Sequence, residues 1–119
     1  MTLVDTSVWV NHFRHNEPDL AALLEEAQVI MHPMVMGELA CGNLGNRDIV
    51  LEMLRGLPRI AEASHEEVLF FIERNRLMGR GIGYVDVHLL AAVSMSGSVR
   101  LWTEDRRLRD TGAELGLVY

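Results

Sequence analysis

Met1-Thr2-Leu3-Val4-Asp5-Thr6-Ser7 is the stretch on which the fold turns. Leu3 and Val4 read as a short buried strand that stops on an acid followed by two hydroxyl residues. Thr6 or Ser7 can cap a helix by accepting a backbone N–H, and Val8, Trp9 and Phe13 then supply an apolar helical face. Asp5 therefore stands where a strand ends and a helix begins. In an open α/β sheet that is the edge where ligands bind, beyond the carboxyl ends of the strands. One isolated Asp at such a place reads as a turn residue. A functional reading needs other acids that converge on the same edge.

Downstream, strands and helices alternate. Glu17-Pro18-Asp19 starts a second helix with Leu20, Leu23, Leu24 and Ala27 on one face, and Val29-Ile30-Met31 is a second short strand. Pro33 suits the first turn of a helix running to about Cys41, which Gly42 ends, and Glu38 lies on that helix. Asn46 can cap the next helix, with Ile49, Val50, Met53 and Leu54 inward, until Gly56 and Pro58 break it. Arg59-Ile60-Ala61 is a weak third strand. Ser64 and Glu67 form an S-x-x-E capping box before a long helix carrying Val68, Phe71 and Ile72. Gly79–Gly83 interrupts, and Tyr84-Val85-Asp86 opens a very apolar helix through Ala92. Val99–Trp102 is a fourth strand, Thr103 can cap a short helix containing Glu104, Asp105 and Leu108, and Leu117-Val118-Tyr119 is a terminal strand. This alternation predicts a central parallel sheet covered by helices on both faces, an α/β chain forming one domain over residues 1–119.

Composition narrows the chemistry. Hydrophobic residues make up 49% and no apolar run approaches the ~20 residues of a membrane helix, so no membrane role is expected. The chain opens on a strand with no basic leader, and its single Cys41, read as a small core residue, has no disulfide partner. Both point to a cytoplasmic protein. Seventeen acids against eleven bases give −6, which argues against nonspecific coating of nucleic acid. All eleven bases are Arg, so lysine Schiff-base chemistry and the P-loop lysine are excluded. Arginine is nonetheless the better bidentate partner for a phosphate backbone.

Four carboxylates stand out by position. Asp5 ends strand one, Glu38 lies on the helix after strand two, and Asp105 follows strand four. Asp86 begins the helix that leads into strand four; that helix runs antiparallel to the strands, so its start lies toward the same edge. Any one of these acids can be placed there to complement a helix macrodipole. Four gathered at one edge repel and raise one another's pKa, a penalty that a divalent cation removes. An all-oxygen donor set without a His or Cys cluster suits Mg²⁺ or Mn²⁺ rather than zinc.

The segments around these acids resemble the PIN-domain family, and most closely the VapC-type ribonuclease toxins of prokaryotic toxin–antitoxin pairs. The matching stretches are Leu3–Trp9, Met36–Leu39, Tyr84–Ala92 and Leu101–Leu108. Each is short, and their order over essentially the whole chain carries the resemblance. It implies a PIN-like, Rossmann-like three-layer α/β/α sandwich and a metal-dependent endoribonuclease with Asp5, Glu38, Asp86 and Asp105 as its acidic site. It also implies a homodimer and a cognate VapB-type antitoxin that blocks the site. On that reading the carboxylates hold one or two Mg²⁺ (Mn²⁺ is the substitute), with Asp5 the central ligand and Asp86 and Asp105 completing the set. Glu38 binds a second metal or orients the water. Thr6 and Thr103 hydrogen-bond carboxylates or the scissile phosphate, or else simply cap helices.

Other features are weaker. Arg106, Arg107 and Arg109 cluster beside Asp105 and can carry an RNA backbone, although a solvated helix face accounts equally well for at least one of them. Arg80 sits in a glycine-rich connection near the site and is the fourth candidate for RNA contact. His12, His15 and His88 pair with no Cys or Ser into a triad; His88 reads as structural or surface. Trp9 and Trp102 adjoin strand ends and read as core rather than base-stacking. The face carrying Val8 and Leu24 is a dimer seam or ordinary core. A phosphoacceptor or phosphatase domain would also use Asp at strand ends with Mg²⁺, but those families generally want the lysine this chain lacks. An RNA-processing or DNA nuclease outside a toxin–antitoxin pair, and a scaffold that binds RNA or a partner without cutting, are the remaining alternatives.

Overall fold

The structure, a computed structural model, describes all residues 1–119. The strands are β1 (Thr2–Val4), β2 (Val29–Ile30) and β3 (Arg100–Trp102). The helices are α1 (Thr6–His15), α2 (Pro18–Glu25), α3 (Pro33–Ala40), α4 (Arg47–Arg55), α5 (His65–Asn75), α6 (Tyr84–Ser96) and α7 (Arg106–Glu114). The sheet has the order β2-β1-β3 and is parallel throughout, with Leu3 opposite Ile30 on one side and Leu101 on the other. This is the expected α/β fold, a parallel sheet flanked by helices. No helix is long and apolar enough to cross a membrane.

The two outer strands expected from sequence shrink to single bridges. Arg59 pairs with Met31, and Val118 pairs with Leu101, both in parallel. Pro58 accepts from Met31 N–H through its carbonyl, and Ile60 N–H returns a bond to Met31, but proline has no N–H with which to continue the ladder. At the other edge Leu101 exchanges two bonds with Leu117 and Tyr119.

Burial follows the helical period. Leu3, Val4, Val8, Trp9, Leu20, Leu89, Leu90 and Leu101 form the centre of the main core, and Leu24 packs against it. The Val8 and Leu24 face is therefore core and not a dimer seam. A smaller cluster of Ala63, Val68, Leu77, Val87 and Ala91 fastens α5 to α6. Two expectations fail on α4 and its approach. Val50, Leu51 and Leu54 face inward, whereas Ile49 and Met53 are exposed. Cys41 is also exposed: it caps the end of α3, about 200° around the helix from buried Leu39. Asn46 does start α4 but in a left-handed conformation with no side-chain cap, while the Arg47 guanidinium donates to the Ala40 and Gly42 carbonyls at the end of α3. Pro18 and Pro33 open their helices as expected, and the Ser64–Glu67 capping box is formed.

α7 packs closely at Gly112. A methyl group on Gly112 would lie 2.8 Å from Val118 Cγ1 and 3.3 Å from Leu90 Cδ2. The absence of a side chain there lets α7 lie against both α6 and the terminal bridge, which fixes where α7 begins.

Candidate active site

Asp5 belongs to both the sheet and the first helix. Its N–H donates to the Trp102 carbonyl, extending the pairing with β3, and its own carbonyl accepts from Val8 and Trp9 to start α1. The cap residue of α1 is thus Asp5 rather than Thr6 or Ser7, and its carboxylate makes no cap bond. Instead Asp5 Oδ2 accepts from Ser7 Oγ at 2.8 Å and from Thr103 Oγ1 at 2.7 Å. Oδ1 accepts no hydrogen bond, so a buried carboxylate is clamped by one oxygen and left with the other free.

Thr103 is buried at the end of β3 and does more than cap. It donates to Asp5 and accepts from the Asp105 N–H at 3.0 Å. The cap of α7 is Asp105 itself, whose Oδ1 accepts from Leu108 N–H at 3.0 Å. Ser7 closes the knot by accepting from Glu104 N–H at 3.0 Å. Two strand ends that are 98 residues apart in sequence are locked together by hydroxyls. Ser7 is the residue that sequence reading undervalued; its signal was the adjacency of acid and hydroxyls in Asp5-Thr6-Ser7, taken there as capping alone.

Thr6 binds the third acid. Its hydroxyl donates to Glu38 Oε1 at 2.7 Å, tying α3 to α1. Asp86 occupies the third position of α6, where its Oδ2 accepts from Gly83 N–H at 3.1 Å. Burial raises the Asp86 pKa first; the Gly83 hydrogen bond opposes this, and the charges of Asp5, Asp105 and Glu38 raise it further. Asp86 therefore lies within electrostatic reach of the other three expected acids. They do not close into a ready-made cage: no three His, Cys, Asp or Glu side chains converge tightly enough to hold an ion as placed. An open set of carboxylates, one with a free oxygen, fits Mg²⁺, which keeps several of its waters and is usually held by one or two carboxylates.

The arginines divide. Arg106 and Arg107 occupy the first turn of α7, which contains no acid. Cations at the positive end of a helix work against its dipole, so helix stability does not account for them. Arg107 lies across the glycine loop: a methyl group on Gly81 would stand 2.7 Å from its Nη1, and Gly81 has φ +77°. Arg80 is paired instead with Glu114 at 2.6 Å, at the far end of α7. Trp9 is fully buried, and Trp102 is half-buried beside the Tyr119 ring. His88 is buried, not surface, between the rings of Tyr84 and His32. A cleft of about 470 Å³ opens beside Glu38, lined by Val10, Phe13, Arg14, Leu44 and Val50 among others.

Comparison with known proteins agrees with this architecture. Residues 2–114 match the family model described as PIN domain. The chain is 45% identical over 117 residues to Ribonuclease VapC32 of Mycobacterium tuberculosis, in both the CDC 1551 / Oshkosh and the ATCC 25618 / H37Rv strains. The match covers 98% of this chain and 94% of that protein.

Proposed function

We propose, from the premise that the chain belongs to the PIN-domain family, that it is a VapC-type ribonuclease toxin whose four acids hold Mg²⁺ for phosphodiester hydrolysis. The observation that carries the metal site is the electrostatic one: Asp86 feels Asp5, Asp105 and Glu38 together, at the strand edge where the free Asp5 oxygen lies. A bound Mg²⁺ would supply a water acidified toward neutral pH and a positive charge against the scissile phosphate.

The chain's own residues set the geometry. Asp5 offers Oδ1, with Ser7 and Thr103 fixing the carboxylate plane through Oδ2. Asp105 keeps its Oδ2 clear because the cap bond uses Oδ1. Thr6 steers Glu38 toward the same edge. Arg106 and Arg107 meet the RNA backbone as it enters over α7, giving affinity without reading sequence. Arg80 joins them only by leaving Glu114.

The chain works as a homodimer and is silenced by a VapB-type antitoxin. The cleft beside Glu38, apolar with an arginine at its wall, is where a peptide segment of such a partner would reach the acids.

Purified protein incubated with total cellular RNA tests the reading. Discrete products that appear with Mg²⁺ or Mn²⁺, vanish with EDTA and return on adding metal back support it. RNA left intact by antitoxin-free protein across both metals would remove the nuclease reading.

A further inference from the structure

Three of the four acids are tied into the fold by hydroxyls: Ser7 and Thr103 hold Asp5, Thr103 also takes the Asp105 N–H, and Thr6 holds Glu38. Asp86 is the exception, since its carboxylate accepts only from Gly83 in its own turn. No side-chain hydrogen bond joins α6 to α1, α3 or α7, the helices that start at or carry the other acids. Apolar packing holds α6 against the sheet but lacks the directionality of a hydrogen bond. Two buried nitrogens stand unused where α3 and α6 meet. His32, the cap of α3, is fully buried and spends Nδ1 on the Met34 N–H, so the proton of its neutral ring is on Nε2. That Nε2–H has no partner, and neither has Nδ1 of His88, which is 4% exposed on α6. One is a donor, the other an acceptor, and a buried polar atom left unpaired is costly. The two ring centres are 6.1 Å apart, too far for a direct hydrogen bond and suited to one bridging water. The Glu62 charge reaches both rings, which supplies a polar third partner for a water that makes about three bonds when buried.

We propose that His32 and His88 are positioning residues for Asp86, joined through one buried water that accepts from His32 Nε2–H and donates to His88 Nδ1. His88 lies two residues after Asp86 and about 200° around the same helix, so holding the ring on one side sets the height and rotation of the carboxylate on the other. The link thereby fixes Asp86 relative to Glu38, which α3 carries from the end that His32 caps. It rests on the acidic metal site of the proposed function and adds what holds the fourth acid in place.

Calorimetric Mn²⁺ binding and RNA cleavage on matched variants test it, with circular dichroism to verify that each is folded. His88→Leu keeps the bulk and loses the acceptor, and the Mn²⁺ Kd and the Mn²⁺ concentration for half-maximal cleavage both rise by about tenfold. His88→Asn has less bulk but places an oxygen near the Nδ1 position, and it stays within about threefold of wild type. A packing role alone would rank the two the other way. His32→Asn keeps the α3 cap and loses Nε2, so it weakens Mn²⁺ binding as His88→Leu does. The double variant His32→Asn/His88→Leu is no weaker than either single, because both cut one link. Histidine side-chain NMR reads that link without metal or RNA, and both rings are Nε2–H tautomers. A His88 proton on Nδ1 would overturn the link, as would His88→Leu performing as well as His88→Asn, or losses that add in the double variant. Wild type that neither binds Mn²⁺ nor cuts RNA would fail the metal site instead, and the tautomers still decide the link.

Discussion

Thr103 shows how much of the site depends on single oxygen atoms. It donates to Asp5, accepts from Asp105 N–H and is 3% exposed, so Thr103→Val keeps the shape but removes one of the two donors on Asp5 Oδ2 and the acceptor for Asp105 N–H. Partners that orient metal-binding carboxylates are generally worth ~10–100-fold in activity or metal affinity, and a loss of that size is expected in a metal-dependent cleavage assay. Stability should fall by about 1–3 kcal/mol in urea unfolding, because the buried Asp5 carboxylate loses one of its two donors and the Asp105 N–H loses its acceptor. Asp86 makes the opposite kind of prediction. Its pKa is raised in the folded protein, so folding favours the protonated carboxyl, and the metal-free protein loses stability as pH rises through the unfolded and then the folded pKa. Asp86→Asn should therefore melt higher than wild type in EDTA at neutral pH while losing cleavage. The gap should close at acid pH, as followed by thermal denaturation. The four acids stand out in the sequence because Asp5, Asp86 and Asp105 lie at element ends and Glu38 lies on the helix that follows a strand. The hydroxyl knot is legible only in part: the sequence offers Thr6 and Thr103 as partners of carboxylates or as caps, because both roles use the same residue types, and only the fold brings Thr103 and Ser7 to Asp5.

At the scale of elements, α3 and α7 are the pieces whose placement carries acids. His32 starts α3: its Nδ1 accepts from Met34 N–H at 3.0 Å while the ring is fully buried. Burial is the main cause that lowers its pKa to about 4, with the nearby His88 adding to it and Glu62 opposing. A depressed histidine contributes stability above its unfolded pKa and loses it as pH falls, here between 6.5 and about 4. A protonated ring can no longer accept the Met34 bond. His32→Asn, which retains an acceptor, should flatten the acid side of the stability curve across that window by up to about 3 kcal/mol, measured by urea unfolding at a series of pH values. For α7 the decisive position is Gly112. Gly112→Ala pushes a methyl into Val118 and Leu90, and overpacking of this kind costs about 1–3 kcal/mol. Cleavage should fall with it, since α7 carries Asp105, Arg106 and Arg107. Helix starts were readable from Pro18, Pro33 and the Ser64–Glu67 box, because local chemistry settles them. The outer strands that the sequence suggests at Arg59 and Leu117 are single bridges, since each pairs with one neighbour only and Pro58 stops the first ladder. Ile49 and Met53 were assigned inward from apolar character alone, when the packed ridge is Val50, Leu51 and Leu54.

For the whole molecule, the parallel order β2-β1-β3 is what turns a pattern of acids in one dimension into a site in three. β1 is central, so Asp5 has neighbours on both sides, and α6 returns Asp86 to the same edge. That logic was visible in the alternation of strands and helices, and the resemblance in four ordered segments agrees with the family match over residues 2–114. The proposed function requires these acids to form one metal-dependent site. The most direct measurement is Mn²⁺ binding by calorimetry to wild type and Asp5→Asn, with cleavage of a labelled RNA followed on the same preparations. Asp5→Asn, folded as wild type, is expected to bind Mn²⁺ at least about tenfold more weakly and to cut at least about a thousandfold more slowly. Equal Mn²⁺ binding and equal cleavage by the two proteins would contradict it.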